Sequence, residues 1–373
     1  MLDPIVTFFV RIFNAIGRGI GLFVAWLFWP FLAAHGWYMR RTWLVRGPIA
    51  IFLLLLVGFY AYFIWQTQVW TNFNPSFIDT YNLSARKVPA GAELPAAAGE
   101  TAKKCQSSAV VDVVADLTDV NVNQNAWISS MLLYRLGFFG VDWDHTPFLD
   151  NKASFQRGVN QAVRRTAVEL VDSLGRMRGT SGINNTLQNA RGNIQFDEYS
   201  WYFGLDPFGP KTPTPSYYRA AVESFRAFNR ELTNCTATFD SRADNLLDFV
   251  DRISGDLGNT AAILRDRSEN FNAGWFDTRA DDRFWFAYGQ LYGYYAILSA
   301  AQADFSQVIT ERNLVPLWND TLLQFRSALR IRPAIISNGR EDGWIMPTHL
   351  ATMGFYILRA RSSLVEVRSV LDR

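Results

Sequence analysis

The chain has 373 residues, 49% of them hydrophobic and only 19% charged, with a formal net charge of +2. That length holds one large or two ordinary domains beyond a membrane segment, and the near-neutral balance gives no electrostatic case for a nucleic-acid partner. The charge is unevenly placed: residues 1–46 carry Arg11, Arg18, Arg40, Arg41 and Arg46 against Asp3 alone.

Residues 4–35 form a first apolar stretch. Arg11, Asn14 and Arg18 share one helical face, as in a helix lying in the cytoplasmic interface. Gly19–Ala34 is uncharged, so this part could instead dip into or span a bilayer, kinked at Pro30. The next stretch has a single reading. No residue from Gly47 to Ile78 is charged, and the apolar run from Gly47 is about 19 residues, enough to cross ~30 Å of hydrocarbon. Residues 47–66 are therefore expected to be a transmembrane helix. Tyr60, Tyr62, Trp65 and Trp70 lie toward its far end, where amphipathic rings favour the interface. Arg40, Arg41 and Arg46 precede it, which keeps residues 1–46 cytoplasmic and sends the remainder outward. The charged region is too long for a cleaved signal peptide.

Residues 67–104 read as a juxtamembrane segment and linker, Pro-, Ala- and Gly-rich from Arg86 onward. Residues 105–373 read as one large all-α domain, a helical array. Helices are expected over 121–139, over 153–178 with a stop at Gly179, over 217–233, from a cap at Asp240 or Ser241, over 283–303, over 317–330, and from Pro347 to Leu371. Val110–Val114 is the one β-rich run, and it could equally begin a helix. Residues 207–215 read as a long loop. Cys105 and Cys235, the two cysteines, either form one disulfide outside the cytoplasm or stay as two buried thiols.

Several polar clusters are candidate sites. Asp142, Asp144 and His145 lie in one loop, where carboxylates and an imidazole can bind a ligand or do acid–base work. The competing reading is turn and capping chemistry, with Asp150 or Asn151 capping the next helix. Arg242, Asp244 and Asn245 stand at a helix start, as a polar ligand site or as a structural ion pair. Asn338 and His349 lie in and after a loop leading into the last helix, where an anion could bind or where a core histidine could simply be satisfied. The run at 283–298 carries Phe284, Trp285, Phe286, Tyr288, Tyr292, Tyr294 and Tyr295 all around a helix. It is read first as a buried core, and second as a lipid or glycan surface. Metal-ligand spacings and nucleotide or hydrolase motifs are absent, so no metal or cofactor is expected and no catalytic residue is assigned.

Four stretches, at 149–165, 178–201, 239–259 and 335–368, resemble the bacterial domain of unknown function 2333 family. The likeness covers most of residues 50–373 and implies the same arrangement of a cytoplasmic start, one span and a large outer domain. It implies nothing about chemistry. The resulting expectation is a protein anchored in a bacterial inner membrane with its large domain in the periplasm. It would touch membrane lipids through residues 1–66 and act as a scaffold for an envelope protein partner. A lipid- or glycan-handling protein is the alternative, and an envelope hydrolase using Asp144, His145 and His349 stands third.

Overall fold

A computed structural model of the chain describes residues 3–86, 88–95, 103–176, 182–205 and 207–373. Most of them are helical and almost none are in sheet, and the chain divides into two compact units, one up to Tyr62 and one from Phe63 to Arg373.

The first unit holds α1 (Asp3–Met39) and most of α2 (Trp43–Gln68). α1 is one continuous helix running through Pro30. Both helices are long and apolar enough to cross a membrane, over Phe13–Met39 and Trp43–Gln68. Their apolar side chains are exposed over most of their length, as a lipid-facing helix requires.

The second unit begins with the last turns of α2 and continues with α3 (Ala109–Asp119), a short α4 (Leu132–Leu136), α5 (Asn151–Glu169) and α6 (Asn185–Ile194). A small hairpin of β1 (Phe203–Leu205) and β2 (Phe208–Pro210) follows. Then come α7 (Thr214–Thr233), α8 (Ala243–Asn270), α9 (Ala280–Asp304), α10 (Ser306–Glu311), α11 (Val315–Ala328) and α12 (His349–Leu371). The axis is α9. It is apolar on every side, so only burial on every side satisfies it, and Phe284, Tyr288, Leu291 and Tyr294 are fully buried. α5 runs parallel to it at backbone contact. A Cβ on Gly158 would sit 2.0 Å from the Phe286 carbonyl oxygen, and one on Gly289 would sit 2.1 Å from that of Phe155. α3 and α11 flank α9, α6 packs on α7, and α8 lies antiparallel to α12, with Arg368 paired to Asp251 at 3.1 Å.

Most expected helices are present within a few residues. The exception is 121–139, which is broken into a π turn at Val120–Gln124, a 3₁₀ turn at Ile128–Ser130 and α4. Gln156 explains the break. Its amide donates to the carbonyls of Asn121 and Ala126 and accepts from the Ile128 N–H, taking the place of helical partners. Asn125 adds a side-chain bond to the Val120 carbonyl. Val110–Val114 is helical, inside α3, with Ser108 as its cap. The cap of α8 is Arg242, just after the expected Asp240 or Ser241, and it makes no side-chain cap bond. α12 begins at His349, leaving Pro347 outside to accept a hydrogen bond from the Gly339 N–H. α5 passes into a π turn at Leu170–Leu174; Gly179, the expected stop, lies outside the described residues. The expected loop at 207–215 contains β2.

The segment before Cys105 is part of the fold. Phe73, Phe77 and Ile78 pack on the core. Ala90 donates its N–H to the Asp304 carbonyl, and 91–94 pair with 104–106 through three backbone bonds. Residues 96–102 of the expected linker lie outside the described residues. Cys105 and Cys235 are joined in a disulfide, with Cα atoms 5.3 Å apart.

Candidate functional site

The chain that leaves α2 at Gln68 builds the wall of a cavity within a few residues. Trp70 packs tilted on Phe155 and edge-to-face on Trp285, each at 5.1 Å between centroids, and Phe73 packs on Phe155 at 5.2 Å and on Tyr292 at 5.5 Å. Phe77 stacks on Tyr292 at 5.3 Å. Trp70, Phe73, Phe77, Phe155 and Tyr292, with Leu117 and Val159, floor a cavity of about 520 Å³, within the range of small-molecule sites. The rim is polar. Arg226 pairs with Asp116 at 3.2 Å and with Asp119 at 3.6 Å, and the Tyr81 hydroxyl donates to Asp116. Burial, then the Asp116 carboxylate, push the Tyr81 phenol well up, so it stays a donor. Asn72 and Thr71 close one edge through Gln124 and Asn125, residues of the π turn and its end. π turns are enriched at functional sites because they re-aim backbone and side chains without ending a helix. Lys152 is buried beneath this edge and donates to the carbonyls of Gln66 and Val69, at 3.0 and 2.6 Å, which ties off the end of α2. Burial lowers its ammonium to about 8.

A second, polar cleft of about 390 Å³ opens where the 142–145 turn meets the start of α9. It gathers Asp142 and Asp144 of the sequence candidates. Asp144 sits 3.1 Å from His145 Nδ1 and 3.3 Å from Arg279, whose guanidinium is 3.4 Å from His145 Nε2. Beneath the turn three carboxylates are buried together: Asp150, Asp281 and Asp282. Both oxygens of Asp150 lack a donor among the described residues, while Asp282 accepts from Ser154 at 2.6 Å. Burial, then Asp282, hold Asp150 protonated, and burial also raises Asp282. Carboxyls buried close together disfavour ionising at the same time. Burial, then Asp282, raise Asp281 to about 8. Asp150 holds the cap position of α5 but makes no capping bond.

The remaining candidates make contacts of their own. Arg242 pairs with Asp240 at 2.8 Å and stands 3.8 Å from Asp244, and Asn245 donates to the Asp240 carbonyl. This cluster sits at the start of the 28-residue α8, ~40 Å from its other end at 1.5 Å per residue. Asn338 is fully buried and staples two loops, donating to the carbonyls of Arg267 and Phe271 and to Asp277. His349 accepts the Ser337 N–H on Nδ1 at 2.9 Å, and burial lowers its pKa. Its hydrogen bond to Ser337 is not shared with the Asp144–His145–Arg279 group. Sequence reasoning missed the aromatic cavity and the buried acids. The signals were present as WTNFNPSF after the span and Asp281–Asp282 before the aromatic run, but neither has a motif's fixed spacing.

Fold and site thus define a class: an all-α domain carried behind two helices able to cross a membrane, with an aromatic cavity beside the point of entry. The chain belongs to the family described as an uncharacterized protein conserved in bacteria, DUF2333, which it matches over residues 85–274 and 265–373. No curated protein and no solved structure matches it.

Proposed function

We propose that this is an inner-membrane-anchored, periplasmic binding protein for an amphiphile of the bacterial envelope, a molecule with an apolar tail and a polar end. The observation that carries this reading is the cavity itself. Its aromatic floor suits an apolar chain and its hydrogen-bonding rim suits a polar end. One wall of it is formed by residues that directly follow α2 in the chain, which suits a ligand taken from the membrane. The arginines ahead of α2 support the outward orientation, and the Cys105–Cys235 bond suits an oxidising compartment.

Thr80 lines the cavity from an exposed position, so Thr80→Trp fills it without touching the core. Purified protein in nanodiscs is expected to bind a fluorescent long-chain fatty acid saturably, and Thr80→Trp to weaken that binding by about tenfold or more, as a loss of ~1.4 kcal/mol would. Equal binding by both proteins would refute the cavity as the site.

A second reading, a scaffold for an envelope protein partner, is favoured by one observation. The outer face of α12 presents Phe355, Leu358 and Val365 to solvent at helical spacing. Stoichiometric recovery of a protein partner, lost on Leu358→Asp, would support it.

A further inference from the structure

The loops at one end of the second unit carry a set of exposed rings that the packing of the unit does not use. α5 and α9 run parallel, Gly158 lying against Phe286 and Gly293 against Ala162, so both helices begin at this end. α8 and α12 run antiparallel, Gly258 meeting Arg361 and Leu264 meeting Gly354, so α8 ends and α12 begins there too. The last turns of α2 enter at the same end. Phe63 packs on Trp143 at 4.9 Å, and Gln68 donates to the Phe148 carbonyl at 2.9 Å.

Contacts join the three loops into one surface. Asp144 pairs with Arg279, Asn338 donates to Asp277 at 2.8 Å, and the backbones of Gly274 and Asn338 pair with each other. Yet this well-tied surface exposes Phe148, Trp275, Phe276, Trp344 and Ile345, with Phe276 at 80% and Trp344 at 94%. The neighbouring Asp342 is matched by Arg340 at 3.1 Å. Exposed rings gathered on one face mark an interaction surface.

We infer that this face rests on the bilayer, its rings seated at the boundary between headgroups and acyl chains on the side where α2 emerges. The occupant follows from continuity. α2 is exposed and apolar to Trp65, and a helix that crosses a bilayer ends at its surface. Loops packed on its last turns therefore meet the same surface, and Trp and Phe are the side chains that partition there. The domain is then held at the bilayer by two contacts, the helix and the ring of loops. The inference rests on the membrane-anchored reading but not on what the cavity binds.

The test uses the full chain in nanodiscs of phosphatidylethanolamine and phosphatidylglycerol. Cys105 and Cys235 are bonded to each other, so a single added thiol takes a spin label. Labels on Trp344→Cys and Phe276→Cys are expected to collide with lipid-dissolved oxygen and to be shielded from an aqueous nickel chelate. The control is Arg312→Cys, exposed beyond the far end of the 25-residue α9, ~37 Å along that helix. It should give the reverse. Labels at 276 and 344 as open to the chelate as the control would overturn the inference. So would shielding that appears only with two copies per disc, which would assign the face to a second copy. Thr80→Trp should leave both labels unchanged, so failure of the cavity reading and of this one are separable.

Discussion

Asp281 is 4% exposed, and one of its oxygens has no donor among the described residues. Its folded carboxyl ionises at about 8 against an ordinary 3.8, burial being the main cause and Asp282 the next. Between those values the unfolded chain releases the proton while the folded chain keeps it, so stability falls as pH rises through that window. Asp150 and Asp282 act in the same direction. His349 acts the other way, costing stability as pH drops below its ordinary value of 6.5, so the substituted protein is the clean comparison. Asp281→Asn is expected to raise stability near pH 7 by about 1–3 kcal/mol, since burying an ionisable group carries a penalty that the amide avoids. It should also flatten the pH dependence. Thermal unfolding at about pH 5 and about pH 8 checks this. An Asp281→Asn midpoint that varies with pH as the wild-type midpoint does would contradict the shift.

Among the elements, the α5–α9 pair is the most constrained. Its closeness depends on glycine at the contact, and Gly158 and Gly289 each have a partner carbonyl where a Cβ would stand. Gly158→Ala must push two buried helices apart, and neither can yield cheaply because α9 is enclosed on every side. The expected loss is about 2–4 kcal/mol, from overpacking plus the opened core. Gly255→Ala in α8 is the control, since nothing lies within 4 Å of its Cβ position; it should be neutral or slightly stabilising. Chemical denaturation of both variants in the same detergent measures the difference, and equal midpoints would mean the helices are not locked at that contact. Both glycines stand out in the sequence only as glycines inside helical patterns. What they touch belongs to a partner more than a hundred residues away, so local pattern carries no trace of it.

For the molecule as a whole, the Cys105–Cys235 bond closes a loop with a sequence separation of 130 residues. By loop-closure entropy that is about 4–5 kcal/mol of stability. It also fixes the 103–106 strip to the end of α7, where the Cys105 N–H donates to the Thr233 carbonyl. Replacing both cysteines by serine, or reducing the bond, should lower the unfolding midpoint of the second unit by several degrees while leaving α1 and α2 helical by circular dichroism. An unchanged midpoint would mean the 105–235 loop is already closed in the unfolded chain by other contacts.

The two apolar helices, the helical class and most helix positions were legible from the sequence, because a twenty-residue apolar run and a 3.6-residue period are local properties. The break at 120–136 was not, because a single side chain, Gln156, supplies from a distance the hydrogen bonds that a helix would have made. The polar candidates Asp142, Asp144 and His145 were visible as a cluster in one loop. The tertiary structure alone decided that Arg279 joins them, and that Asp150, at the cap position of α5, makes no capping bond and is buried with Asp281 and Asp282. It likewise made a cavity of Trp70, Phe73, Phe77, Phe155 and Tyr292, rings spread over more than two hundred positions. Apolar side chains look alike in a sequence whether they fill a core or line a hollow, and only the distances between packed helices separate the two.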